Sequence, residues 1–437
     1  MARFIYQRLF YGLLVMWGVI TIVFFLFNIL PGDPARMMLG QNANKEQIDA
    51  ITKDIGRDKP VFIQYLLYIN DISPLSIHET ENTESSFYLN EKKYTSVVKL
   101  FPVSSSKQLV MKTPYLRRSY ITRRPVSDIL VDTLPETAAL AFAAMLIASI
   151  IGILLGILAA VKKGTWLDTG SLFFAVLGMS GPSFYIGLIV AMTFGYLWSK
   201  EFHFPTIILL FFILGGSIGS GVGIMKLKKK KIEGKKADII IHQFLIWGFI
   251  GFIVWAVGYL IHFIWNVIPF IDNYIIFPGT GLNNEGSLYI IDDYGEEHLS
   301  IKNIILPAMT LGIRPLAIIV QLTRSSLLDV LSQDYIRTAT AKGLSFYTII
   351  FKHALKNSLN PVVTAISGWF AGLMGGAVFV EYVFGWRGIG SEIVNALDKQ
   401  DLPIIMGGVL VIGFIYVVIN IVVDIVYGIL DPRIRLQ

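Results

Sequence analysis

The sequence has no cysteine among its 437 residues, which excludes disulfides, iron–sulfur clusters and thiolate catalysis. Charge is scarce too: 16% of the residues are Asp, Glu, Lys or Arg, against roughly 25% in soluble domains. Histidines are few and scattered (His78, His203, His242, His262, His298, His353), so neither a metal nor a cofactor is expected. The chain also lacks a GxxxxGK[ST] loop to cradle phosphates, an HExxH helix and a GxSxG elbow. No catalytic residue is therefore expected, and whatever energy drives the protein is not released on this chain. What dominates instead is apolar: 54% of residues are hydrophobic and the mean hydropathy is +0.62.

A helix needs about 20 mostly apolar residues to cross the hydrocarbon core, where no water can satisfy backbone groups. Eight stretches meet that length: about Leu9–Leu30, Thr137–Val161, Gly170–Trp198, Thr206–Met225, Ile239–Val267, Ile304–Leu322, Val362–Phe384 and Ile404–Leu430. The fold class is thus an all-α polytopic membrane protein. The first stretch is too long for a signal peptide and ends in LPGDP rather than a small-residue cleavage site, so it reads as a retained helix with its N-terminus inside. Lys162 and Lys163, the lysine run 226–236 and the basic stretch from Asp334 to Pro361 then fall on the cytoplasmic side, and the acidic loop Asp272–Asn303 falls outside. The net charge of +6 is accounted for by these inner loops, not by nucleic acid; lipid headgroups are a secondary partner for the lysine run. The organisation expected is an N-terminal transmembrane helix (1–30), an extracytoplasmic segment (31–132), a transmembrane domain (133–430) and a cytoplasmic tail (431–437).

Three features inside this frame invite a functional reading. DYIRTATAKGLSFYTIIFKHALKNSLNP, residues 334–361, is polar and basic yet keeps apolar residues at helical spacing. It predicts two short helices hinged at Gly343-Leu344-Ser345, with Ser345 capping the second. Gly368, Gly372 and Gly376 recur every fourth residue on one helix face, which serves either tight packing or the border of a pathway. Arg314, Glu381 and Asp424 are the main charges near apolar spans, and Arg314 and Glu381 are expected at helix ends, where they can snorkel to the interface.

Several strings resemble one family, the dipeptide/oligopeptide/nickel permeases of bacterial ATP-binding-cassette importers: RFIYQRLFYGLLVMWGVITIVFFLFNILPGDPA, DTLPETAALAFAAMLIASIIGILLGILAAVKKGTWLD, LGMSGPSFYIGL, LTRSSLLDVLSQDYIRTATAKGLSFYTIIFKHALKNSLNP, EYVFGWRGIG and YGILDPRIR. They cover about two-thirds of the chain in family order. The resemblance implies a type I importer transmembrane fold of six core helices, to which residues 206–268 add an inserted helical pair. It also implies a coupling loop (323–361) that docks on an ATPase, with Asp334 opening the docking stretch. Arg337, Thr338, Ala339 and Gly343 stand where the family has Glu-Ala-Ala and Gly, and Pro361 closes the pattern; the acidic position is replaced by Arg337. Small Ala339 and flexible Gly343 would permit close approach, and Leu344, Phe346 and Tyr347 would supply apolar contact. Ser180, Pro182 and Phe184, with Gly368, Gly372 and Gly376, would line the pathway.

The partners implied are a second homologous permease, two ATPase subunits and an extracytoplasmic substrate-binding protein, assembled in the bacterial inner membrane with both termini cytoplasmic. Peptides, dipeptides or oligopeptides, are the expected cargo. Nickel or glutathione import stays open within the same family. An ion-coupled secondary transporter would need intramembrane acids and inverted repeats, and a non-transporting scaffold gives no reason for the basic stretch.

Overall fold

The computed structural model describes residues 2–29, 57–82, 85–90, 93–94, 96–192, 215–222, 236–267, 286–291 and 294–430, with positions 52 and 213. LPGDP, the lysine run up to Lys235, the acidic loop up to residue 285 and the tail 431–437 lie outside the described residues. The chain divides into two compact units, Met1–Phe184 with Pro307–Gln437, and Tyr185–Leu306.

In the first unit, α1 (Ala2–Ile29) leads to α2 (Val61–Ile72) and then to strands β1 (Leu75–Glu79), β2 (Val97–Pro102) and β3 (Lys107–Lys112). These form an antiparallel sheet in the order β1-β3-β2, which the composition of this Ser/Glu/Asn/Lys-rich stretch did not announce. One face carries Ser76, His78, Val110 and Lys112, all buried. His78 sits between the Asn70 amide (3.3 Å), the Ser76 hydroxyl (3.1 Å) and the Phe87 carbonyl (3.3 Å). A carbonyl only accepts, so Nδ1 carries the proton and Nε2 accepts from Asn70. Burial, helped by nearby Lys112, lowers the His78 pKa from its ordinary value. Edge strand β2 is blunted against pairing with another chain by Pro102 and by a bulge between Lys99 and Phe101.

Then come α3 (Val126–Val161), α4 (Trp166–Ser180) and α5 (Ser183–Val190), the last two parted by a sharp bend at Gly181–Pro182. After the second unit follow α7 (Lys302–Leu331), α8 (Asp334–Ala341), α9 (Phe346–Thr348), a π-helical turn over Ile349–Ala354, α10 (Leu355–Ser358), α11 (Asn360–Gly376), α12 (Val378–Val383), α13 (Ile389–Asp398) and α14 (Leu402–Leu430). Helix α3 starts at Val126, earlier than the expected boundary at 133: Pro125 sits at its N-cap, and Pro135 lies nine residues inside it.

The helix contacts are set by small residues. Ala144, Ala148, Gly152 and Gly156 recur every fourth position along α3. A Cβ on Gly152 would press into Ile319 of α7 (2.8 Å), one on Gly156 into Thr323, and one on Gly312 of α7 into the Ala144 carbonyl (2.8 Å). The backbones therefore approach closely, the geometry that holds helices together where lipid removes the hydrophobic drive. Helices α1 and α14 cross in the same way at Gly12, against Val417 and Ile421, and are tied by Arg8 to Asp424 at 3.2 Å.

The second unit, described by itself, holds the rest of α5, a short helix at 215–222, α6 (Lys236–Val267) and the hairpin β4 (Tyr289–Ile291) and β5 (Glu297–Leu299). A Cβ at Gly215, Gly216 or Gly219 would strike Trp247, Phe244 or Gln243 of α6, so these glycines serve packing.

Among the described residues, five helices are long and apolar enough to cross a membrane, and the α4–α5 pair makes a sixth if counted as one span. Of the eight expected spans, the fourth (206–225) lies largely outside the described residues. The seventh (362–384) is α11, 17 residues long, with α12 following after a break at Ala377.

Candidate functional site

The basic stretch folds as its sequence predicts, as two short helical segments around a hinge. Asp334 opens α8, Arg337 lies one turn on and pairs with it loosely at 3.5 Å on the exposed side, and Thr338 bonds back to the Asp334 carbonyl at 3.0 Å. Gly343 takes φ +77°, a left-handed conformation that favours glycine, so geometry more than flexibility requires it. Ser345 caps the second segment, its hydroxyl accepting from the Thr348 N–H at 3.3 Å. The Asn357 amide then donates to the Tyr335 hydroxyl at 2.9 Å, closing the two segments on each other.

The two apolar sets of this element point opposite ways. Ile336, Ala339, Ile349, Ile350 and Ala354 are buried in one cluster with Ile157 and Ala160 at the end of α3 and Leu327 near the end of α7. Ala339, expected at a docking contact, is 8% exposed; its small size serves packing within the chain. Leu344, Phe346 and Tyr347 are exposed, Tyr347 at 75%, and Pro361 is exposed at the far end. The element is thus clamped to the ends of two long helices while presenting an aromatic edge outward. A neighbouring ion pair adds to the clamp: Arg324 of α7 meets Asp168 of α4 through two bonds, 2.5 and 2.9 Å, and the Gly164 N–H donates to the same carboxylate at 2.9 Å.

The pathway candidates stand apart from one another. Ser180, Pro182 and Phe184 are exposed at the α4–α5 bend; Ser180 bonds only its own helix, at Val176, while the Phe184 ring meets Phe379 of α12 at 6.2 Å between centroids. On α11, Gly368 and Gly372 are exposed, and a Cβ on either would meet nothing within 4 Å. Tight packing among the described residues therefore does not explain them. Gly376 closes α11.

Arg314 and Glu381 do not snorkel. Arg314 donates to the Gly181 carbonyl at 3.1 Å, a group that the break at Pro182 frees from its helix and that needs a partner away from water. Glu381 is fully buried. Its carboxylate accepts from the Thr137 hydroxyl of α3 (2.8 Å) and from the Ser391 N–H (3.1 Å), with Gly390 N–H a further donor. Thr137 in turn accepts the Ile389 N–H at 2.9 Å. The first turn of α13 is thereby capped from two other helices rather than from its own Gly388. Buried Trp386 completes the unit, donating Nε1–H to the Glu136 carbonyl at 3.0 Å. The strings TLPET and EYVFGWRGIG, some 250 residues apart, form one structure. Sequence gave no sign of this pairing beyond the shortage of other charges near the spans.

Comparison with known proteins gives the site a context. Residues 152–436 match the family described as binding-protein-dependent transport system inner membrane component, and residues 1–107 match its N-terminal family. The chain is similar to the di/tripeptide transport system permease protein DppB of Pseudomonas aeruginosa, 30% identical over 440 residues and the whole of both chains. It is also similar to the dipeptide transport system permease proteins DppB of Alkalihalophilus pseudofirmus (29%, the whole of both chains) and Escherichia coli (28%, all of this chain and 99% of the relative).

Proposed function

The chain belongs to the family of binding-protein-dependent transport system inner membrane components, and from that premise we propose that it is one permease subunit of an ATP-driven importer of short peptides. The cargo follows the names of its full-length relatives. It works beside a second, homologous permease, two ATPase subunits and an extracytoplasmic binding protein, with both termini in the cytoplasm. The translocation pathway runs between the two permeases, bordered by Ser180, Pro182 and Phe184 and by the open glycine face of α11.

The observation that carries the reading is the element 334–361. It couples to the ATPase through Leu344, Phe346 and Tyr347, with Asp334, Arg337 and Thr338 exposed on the adjoining helix. Its inner face grips α3 and α7, so a push on the outer face reaches the spans as a rigid-body shift rather than being absorbed by a loose loop. ATP chemistry belongs to the partner.

Uptake of a labelled dipeptide by the reconstituted importer tests this. It is expected to follow ATP and the binding protein and to ignore a proton gradient. Gly343→Val meets no steric obstacle but cannot hold φ +77° without strain of about 1–2 kcal/mol, so it should abolish uptake while membrane insertion stays normal. Uptake that tracks the proton gradient, or that survives G343V unchanged, overturns the proposal.

A further inference from the structure

The inner ends of spans account for only part of the positive charge in this chain, and its densest run of arginines lies elsewhere. Arg117, Arg118, Arg123 and Arg124 fall within eight residues just before α3, on the outer side in the topology proposed above. Long external segments cross whatever their charge, so topology gives these side chains no task. The stretch is nonetheless held firmly. The Ser119 N–H donates to the Arg124 carbonyl and the Val126 N–H to the Arg117 carbonyl, both at 3.0 Å. Buried Asp401, just before α14, accepts from the Ser119 hydroxyl and from the Tyr120 N–H at 3.1 Å. Arg117 and Arg123 are fixed in left-handed backbone, φ 67° and 63°, which L residues adopt when their surroundings impose it.

Beside this hairpin lies a cavity of about 120 Å³ walled chiefly by Lys93, Arg117, Arg118, Tyr94, Tyr115 and Ser127, and among the described residues no carboxylate lines it. Two acids bond to its lining side chains: Asp71 receives Lys93 (2.7 and 2.9 Å) and the Tyr94 hydroxyl (3.0 Å), and Asp128 accepts from Ser127 at 3.0 Å, which leaves the two guanidiniums as the unmatched charges. Arg117 lies 5.6 Å over the Tyr68 ring and Arg118 donates to the Arg123 carbonyl at 3.3 Å. Neither contact neutralises a guanidinium, and among the described residues neither arginine meets a carboxylate. The start of the 36-residue helix α3 adds its positive end to the same wall. The volume holds one anionic group and excludes a whole peptide.

We propose that this cavity is a socket for a single carboxylate arriving at the outer face. Two guanidinium forks suit a planar carboxylate, which such forks bind through paired charge-assisted hydrogen bonds; Lys93, already held by Asp71, closes the wall beside them. The proposal rests on the importer reading, under which two carboxylates reach this face. One is the terminal carboxylate that every peptide carries whatever its side chains; the other is an acidic side chain of the binding protein.

The test uses the assembled importer in lipid nanodiscs. In one arm, without binding protein, saturation-transfer NMR compares dialanine with dialanine amide; in the other, uptake is followed against binding-protein concentration. The variant is Arg118→Gln, at an exposed position that leaves the hairpin bonds of Ser119 and Val126 in place, and the control is Arg124→Ala, whose side chain pairs with Asp132 outside the cavity. If the peptide terminus is the ligand, wild type should prefer the acid over the amide by about tenfold, and R118Q should lose that preference. If the acid comes from the binding protein, R118Q should raise the half-saturating concentration about tenfold. Either shift, absent in R124A, supports the socket. Equal behaviour of wild type and R118Q in both arms overturns it. Absent ATP-driven uptake in wild type would refute the importer reading instead.

Discussion

At the scale of single residues, the chain puts its rare charges where a backbone group needs one. Arg314 answers the carbonyl that Pro182 strands, and Glu381 answers the first amides of α13. A buried carboxylate with three donors is held far more strongly than a surface one, and removing it leaves every donor without a partner. Glycine at 388 and 390 is part of the same design, because a Cβ at either position would run into the Glu381 carboxylate. Glu381→Ala is therefore expected to cost at least about 3 kcal/mol, at roughly 1–3 kcal/mol per orphaned buried donor. Thermal unfolding of the purified permease should show a clear drop in midpoint, while Glu392→Ala, one turn into α13 and outside this network, should leave the midpoint where it was; equal midpoints for E381A and wild type would refute the capping role. None of this was legible from spacing. Snorkelling was the natural reading of an acid near the end of an apolar stretch, and only the fold brings Thr137 to Glu381.

At the scale of elements, the stretch 334–361 was legible in outline because its signals are local: a glycine for the left-handed turn, a serine three residues before the amide it caps, and apolar residues at helical spacing. Its two faces were not legible, since Ala339 and Ile336 look no different in sequence from Leu344 and Phe346. The distinction has consequences for mutagenesis. Ala339→Leu forces a larger side chain into the cluster with Ile157, Ala160 and Leu327 and should destabilise the permease by about 1–3 kcal/mol, as overpacking does. Tyr347→Ala removes an exposed ring and should leave thermal stability within about 0.5 kcal/mol of wild type, yet reduce peptide-stimulated ATP hydrolysis severalfold in the assembled importer. If the two variants show the reverse pattern, the inward and outward assignments are wrong. The sheet β1–β3 escaped sequence reading for a different reason. Its strands mix Lys, Ser and His on the inner face with Leu, Ile and Met on the outer, so the usual polar-out alternation is inverted.

At the scale of the whole molecule, hydropathy identified the long helices because length and apolarity are the membrane's own requirement, and it left open how the spans are used. Helix α11 is the informative case. At 17 residues it rises about 26 Å, short of the roughly 30 Å core, and a Cβ on Gly368 or Gly372 would meet nothing among the described residues, while Val362, Ala371, Leu373 and Met374 on the opposite side are buried. A helix that packs on one side and exposes Thr364, Gly368 and Gly372 along the other is suited to a second protein surface or to passing cargo more than to lipid, which would favour larger apolar side chains. Gly372→Leu separates these requirements. Within the isolated permease the new side chain has open space, so expression, insertion and thermal midpoint should match wild type. If the proposed permease–permease pathway borders this face, the new side chain should lower uptake at least about tenfold in the assembled importer while ATP hydrolysis continues, the signature of a blocked or misfitted pathway rather than a lost drive. A normal uptake rate for G372L would show that this face looks onto lipid, and would move the pathway to the other candidate edge at Ser180–Phe184. Loss of stability in the permease alone would instead mean that α11 packs on its glycine face within one chain, against the open space around Gly368 and Gly372.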